Sequence, residues 1–282
     1  MAADGFSVQY ILMAVSFPIL LSVDWRWVGL VTAAFLAGLL NAVAGGGSFL
    51  LFPAMLGMGL PPVEANATNT VALWPGQLTS VAAYWPLIRR NGRLAGPMAV
   101  AGLVGGSAGA LVLLSTPQQT FMHLVPWMLL IAATIFAASG PVSRWLERCK
   151  ARRRERPETM RGQPAALPLA LGTAFICFYI GYFGAGAGFL LITLLSLFGL
   201  DDLHTINGLK VSTTTLANGV AFAIFVVSGK VLWHYCLVAM VVCAVGGYSS
   251  ARLARRVPQA VLRGLVVGIG LGMAAWFFWR NG

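Results

Sequence analysis

Two short glycine-rich stretches carry the residue types in this chain most able to hold a ligand. The first is Gly45-Gly46-Gly47-Ser48, inside the run from Asn41 to Pro53. The second is Gly184-Ala185-Gly186-Ala187-Gly188, which repeats the pattern about 140 residues later, inside the run from Tyr179 to Leu191. Apolar sequence enters and leaves both. Each glycine costs a helix roughly 1 kcal/mol relative to alanine, so a run of them breaks the helix it interrupts. Inside an apolar medium the freed N–H and C=O groups are tolerated only against protein, water or a ligand. Amides released at a helix break suit a small anion. Close packing between helices is the other use of such glycines. Neither stretch is a nucleotide-binding loop: the first lacks a Gly-Lys-Ser/Thr ending and no βαβ unit surrounds the second.

Polar residues gather after each break. The first half has Asn66, Thr68, Asn69, Thr70 and Gln77; the second has Asn207, Lys210, Ser212, Thr213, Thr214, Thr215 and Asn218. A helical hydroxyl often bonds back to the preceding turn, so each alone is weak evidence. Two clusters at matching places are stronger. The candidate substrate-binding set is Gly45, Gly46, Gly47, Ser48, Asn69 and Thr70, with Gly184, Gly186, Gly188, Asn207, Lys210, Ser212 and Thr213. Lys210 has two readings. It can snorkel to the interface and set topology, or it can face a cavity and neutralise an anion. Trp74 reads as packing and Pro75 as a kink.

Other chemistries have no carrier. Glu64, Asp201 and Asp202 fall in expected loops, which leaves no intramembrane carboxylate for a proton relay. His123, His204 and His234 are scattered near helix ends, and the four cysteines show no CxxC spacing. No serine-histidine-acid or HExxH arrangement occurs. The chain is therefore read as a non-enzyme with no metal and no cofactor.

The elements that must position these residues follow from composition. Of 282 residues, 58% are hydrophobic and 10% charged, against about 25% charged in a soluble domain. Several apolar runs approach the roughly 20 residues that span a bilayer, and none alternates as barrel strands do. The expectation is an all-α polytopic membrane protein. The net charge of +11 clusters at helix ends, which fits the positive-inside rule better than nucleic-acid binding.

A leading transmembrane helix and interfacial turn occupy 1–27. A first repeat follows at 28–138, a basic cytoplasmic linker at 139–166 and a second repeat at 167–282. Each repeat holds a glycine-broken pair of segments and three further apolar helices. Phe49 and Gly59 match Phe189 and Gly199 at an offset of 140, and Gly105-Gly106 match Gly246-Gly247 at 141. Pro117-Gln118 match Pro258-Gln259, and Gly92 matches Gly229. Such ordered landmarks indicate duplication. Arg89, Arg90 and Arg93 form one basic turn, Arg252, Arg255 and Arg256 another, and the linker a third. All three reach the cytoplasm only if the halves run in opposite directions. Each broken pair is then a re-entrant hairpin or two passes, not one broken pass. Gly102, Gly105, Gly106 and Gly109, and separately Gly264, Gly268 and Gly272, recur at four-residue spacing. That spacing suits close packing within the bundle or a homo-oligomer interface.

The run Gly45 to Pro53, then Gly59-Leu60-Pro61-Pro62 and Ala65-Asn66-Ala67-Thr68-Asn69, resembles the first signature of the sulfite exporter (TauE/SafE) family. Gly184 to Phe189, Ile206-Asn207-Gly208-Leu209-Lys210 and Gly229-Lys230-Val231-Leu232-Trp233 resemble its second. The likeness spans about 28–279, although Gly-Ala-Gly-Ala-Gly stands where the family has consecutive glycines. It implies a secondary transporter that exports sulfite or organosulfonates across the bacterial inner membrane, with a small anion and the lipid bilayer as partners. A passive anion channel is the alternative, as is a membrane-embedded enzyme or accessory subunit.

The opposed halves have a direct test. Single cysteines placed at Gln118 and at Gln259 are expected to react with an impermeant thiol reagent from opposite faces, Gln118 from outside and Gln259 from inside. Labelling of both from one face would remove the opposed arrangement.

Overall fold

The computed structural model describes residues 24–44, 46–154, 166–200, 202–253 and 259–281. The leading helix, Gly45, residues 155–165 of the linker, Asp201, and Arg255 and Arg256 of the basic turn that begins at Arg252 lie outside them. Among the described residues there are eleven helices and no strand. The first half holds α1 (Trp25–Ala44), α2 (Ser48–Gly57), α3 (Pro62–Leu73), α4 (Pro75–Arg90), α5 (Gly92–Ser115) and α6 (Gln118–Arg154). The second holds α7 (Ala166–Tyr182), α8 (Ala187–Leu197), α9 (Leu203–Val227), α10 (Trp233–Leu253) and α11 (Gln259–Asn281). Among the described residues three stretches, Gly92–Ser115, Gln118–Val142 and Leu203–Val227, are long and apolar enough to cross a membrane by length and composition.

Local chemistry sets the boundaries. Pro62 opens α3, where its missing N–H costs nothing. Pro75 does the same for α4, so the segment expected as one kinked helix is two, divided at Trp74. Glu64, expected in a loop, occupies the first turn of α3, where a carboxylate suits the positive helix end. Asp202 caps α9 so that the helix starts at Leu203, ahead of the apolar run expected from Leu209. Its carboxylate accepts from the Thr205 hydroxyl and from the Thr205 and His204 amides, bonds that hold it below the usual carboxylate range. The first part of the basic linker continues α6 as far as Arg154.

Each broken pair folds back as a helix–turn–helix hairpin rather than continuing as one broken pass. Trp27, near the start of α1, stacks on Tyr235 of α10. Glu64, just past α2, pairs with Lys230 in the turn before α10. The chain thus leaves the C-terminal end of α9 through α1 and returns there through α2. In the second half, Leu169 near the start of α7 and Leu195 near the end of α8 share one buried cluster with Ile206 and Leu209. That hairpin closes at the N-terminal end of α9.

The halves interlock. α1 packs on α10 and α7 on α5; α2 packs on α11 and α8 on α6. α10 lies against α3 and α4, as α5 lies against α9. Exchanging the halves maps each of these pairings onto another of them. Backbone-to-backbone approach makes this possible. A Cβ on Gly109 would run into the Phe178 carbonyl, and one on Gly38 into the Cys243 carbonyl. The four-residue glycine spacing of α5 is therefore spent inside the bundle, against α7 and α9. Gly264, Gly268 and Gly272 of α11 differ: among the described residues, a Cβ on any of them would meet no atom of another segment within 4 Å.

This contrast predicts opposite outcomes for one substitution. Gly109→Leu overfills a contact that has no room and should cost about 1–3 kcal/mol or more, read as a lowered melting temperature in detergent. Gly268→Leu should leave that temperature unchanged. Equal melting for both would mean that the α5–α7 approach is not as close as described.

Candidate functional site

The site begins with α3, whose sequence places four polar residues in a buried helix. Asn66, Thr68 and Asn69 are at most 1% exposed and Thr70 is 9% exposed. Buried polar groups of this kind need hydrogen-bond partners, and their partners come from distant segments. The Asn66 Nδ2 donates to the Tyr182 carbonyl at the tip of the α7–α8 hairpin, 2.9 Å away. The Asn69 Nδ2 donates to the Ser48 hydroxyl at the tip of the α1–α2 hairpin, at 3.1 Å. The Thr68 hydroxyl accepts from the Leu232 amide, and the Thr70 hydroxyl donates back to the Asn66 carbonyl. Asn66 and Asn69 lie one turn apart on one face of α3. That face therefore holds both hairpin tips. The two amide oxygens, Asn66 Oδ1 and Asn69 Oδ1, have no partner among the described residues.

The breaks themselves differ in detail. In the second, Gly184 and Gly186 adopt φ of 80° and 76°, values that side chains with a Cβ rarely take. The Tyr179 hydroxyl donates to the Ala185 carbonyl and braces the turn. In the first, a Cβ on Gly47 would meet the Ala37 carbonyl at 2.6 Å, so α2 starts tightly against α1.

Residues of the two halves meet each other directly. The Trp74 Nε1 donates to the Thr215 carbonyl at 3.0 Å, and the Asn218 Nδ2 to the Gln77 Oε1 at 3.2 Å. Both contacts join residues 141 apart. The same spacing separates Pro62 from Leu203, the first residues of α3 and α9. In that register Asn66 corresponds to Asn207 and Asn69 to Lys210. Contacts between equivalent positions mark where the halves face one another.

A cavity of about 750 Å³ opens there. From the predicted set, Ser48, Thr70, Gly184, Gly188, Asn207 and Lys210 line it. Gly46, Gly47 and Gly186 are buried and do not line it, and Asn69 lies behind Ser48. The Ser212 hydroxyl turns back to the Leu209 carbonyl. Thr213 is buried with its methyl group toward Gly102 of α5. Gly45 lies outside the described residues. Sequence reasoning left Asn41, Gln77, Tyr84, Thr214, Asn218 and Tyr248 out of the set, and they also line the cavity. Asn41 had a signal, an amide four residues before the first glycine. The tyrosines had none, since aromatic residues near helix ends also serve as interface anchors. Trp74 packs on Phe222.

Among the described residues that line the cavity, Lys210 carries the only charge. It is half-buried. Its stem passes Gly188, whose added Cβ would stand 3.7 Å from the Lys210 Cδ. Among the described residues no carboxylate lines the cavity and no group of three metal-ligating side chains occurs. An ammonium amid amides and hydroxyls, without a counter-charge, attracts an anion.

One side of the cavity is sealed. Phe183 is in its wall, and behind it Phe52 and Phe121 are fully buried, with the Phe52 and Phe183 ring centres 5.4 Å apart. Past these rings the Lys230 Nζ meets the Glu64 Oε1 at 2.9 Å, and Gln118 donates to the other Glu64 oxygen.

The family profile described as "Sulfite exporter TauE/SafE" matches residues 30–277. A protein from Sinorhizobium sp. named "Probable membrane transporter protein ORF9" is 27% identical over 246 residues, 87% of this chain and 89% of that one. A "Probable membrane transporter protein" of Haemophilus influenzae is 25% identical, over 88% of this chain and 92% of its own. "Probable membrane transporter protein YfcA" of Escherichia coli strain K12 is 27% identical, over 86% of each. No solved structure matches the chain.

Proposed function

The chain belongs to the Sulfite exporter TauE/SafE family, and from that membership and the cavity we propose that it is a secondary transporter exporting small sulfur oxyanions or organosulfonates, sulfite first, across the inner membrane. The observation that carries this reading is Lys210, the only charge among the described residues lining a cavity otherwise rich in amides and hydroxyls. A fixed ammonium in a poorly solvated wall interacts with an anion far more strongly than it would in water. The first turns of α2 and α8 begin at the same wall, with Ser48 and Gly188 in it. Such helix starts favour negative charge.

The carrier works as two inverted repeats. Support comes from the hairpins, one rejoining at the C-terminal end of α9 and the other at its N-terminal end. Gly208, near that N-terminal end, lies beside Tyr84 and Leu87 of α4. The exposed Arg89 and Arg90 follow directly, and the positive-inside rule assigns this end to the cytoplasm. Tyr84 and Tyr248 extend the lining of the cavity toward it. The opposite side is closed by the phenylalanines and the Glu64–Lys230 pair. This is the state in which an exporter loads. A passive channel would need a polar route through Phe52, Phe121 and Phe183.

Flux of labelled sulfite, sulfoacetate, thiosulfate and sulfate in proteoliposomes tests the substrate class. Lys210→Gln tests the site. Losing a direct charge contact costs on the order of 1.5–3 kcal/mol, so the half-saturating anion concentration should rise about tenfold or more, with insertion unchanged. Lys210→Arg should keep part of the affinity. An unchanged concentration in both variants would make Lys210 a snorkelling residue and remove it from the site.

A further inference from the structure

The two repeats hold one equivalent position in two different states. Asn69 and Lys210 correspond in the 141-residue register of Trp74 with Thr215 and Gln77 with Asn218. Each sits against the opening turn of its own hairpin's second helix, Asn69 on Ser48 and Lys210 on Gly188. Asn69 is closed in: 1% exposed and bonded to the Ser48 hydroxyl. Lys210 stands in the cavity wall, and among the described residues its ammonium has no hydrogen-bond or ion-pair partner. With inverted repeats, opening to the other face exchanges the two conformations. Lys210 must then take up the enclosure that Asn69 has now.

An ammonium entering that enclosure loses water and needs a counter-charge. Among the described residues no carboxylate lines the cavity to provide one. Glu64 is committed to Lys230 and Gln118 at the sealed side. A bound monoanion supplies the missing charge, and the loaded pair crosses as a neutral unit. We infer that the carrier is an anion exchanger: it changes face only with an anion against Lys210, and the empty form does not return. This rests on the anion-transport reading and adds to it the obligatory coupling of one anion's exit to another's entry.

The test compares exchange with net efflux for the purified full chain in proteoliposomes loaded with labelled sulfite. Potassium and valinomycin hold the membrane potential at zero. The outside contains either unlabelled sulfite or gluconate, the latter first checked for lack of uptake by the vesicles. Efflux into sulfite should be faster by about tenfold or more, which corresponds to a penalty of only about 1.4 kcal/mol on the empty crossing. Lys210→Gln removes the stranded charge and should bring the ratio of the two rates close to one, whatever its effect on affinity. Asn207→Asp sets a carboxylate three residues before Lys210 on the same helix face and should lower the ratio too. Equal efflux into sulfite and gluconate by the unaltered protein would overturn the exchange mechanism while leaving anion transport intact. No efflux in either mode would remove the anion-transport reading, and exchange with it.

Discussion

A helix broken inside an apolar interior has to give its freed polar groups to something, and here α3 receives both breaks. Its two asparagines, one turn apart, donate to the Tyr182 carbonyl and the Ser48 hydroxyl. Each such bond contributes only about 0.5–1.5 kcal/mol net, but leaving a buried partner unsatisfied costs about 1–3 kcal/mol. The bonds therefore act mainly through the penalty for breaking them. They fix where the hairpin tips lie, and the tips form part of the cavity wall. The cavity, its single lysine and the sealed side all depend on that placement.

Glycine supplies the second condition. The tips meet only if α1 and α7 lie close against helices of the opposite half. Gly38 against the Cys243 carbonyl and Gly109 against the Phe178 carbonyl permit that approach. Alanine at either site would force the backbones apart. Packing of this kind substitutes for the hydrophobic effect, which does little between helices in lipid. The Trp74–Thr215 and Gln77–Asn218 bonds then join the halves at equivalent positions, beside the cavity that Gln77 and Asn218 line.

Much of this was legible in the sequence, residue by residue. The helix breaks were readable because three consecutive glycines do not suit a helix. Asn207 and Lys210 stood out as polar residues in an apolar run, and they line the cavity. Ser212 and Thr213 looked equivalent to them, yet a turn of 3.6 residues carries them to other faces of α9. Asn69 was read as a substrate ligand and is held by Ser48, because sequence does not say which of two matching polar sites is closed. The hairpins could not be told from paired full passes by length alone. The ring contact of Trp27 with Tyr235 and the pairing of Glu64 with Lys230 show that the first pair returns to the end it left, which one broken pass does not do. The boundary of α9 was missed because the capping bonds of Asp202 start the helix ahead of the apolar run.

The account stands on an anion lying against Lys210 between the two hairpin tips. A heavy-atom sulfonate reports that position without any transport assay. In crystals of the protein grown with 2-bromoethanesulfonate, the anomalous signal of bromine locates the ligand directly. The account predicts one peak inside the cavity, with the sulfonate density against the Lys210 ammonium and the Gly188 turn, lost on competition with sulfite. Ligand density elsewhere on the protein, with the cavity holding only water, would contradict it.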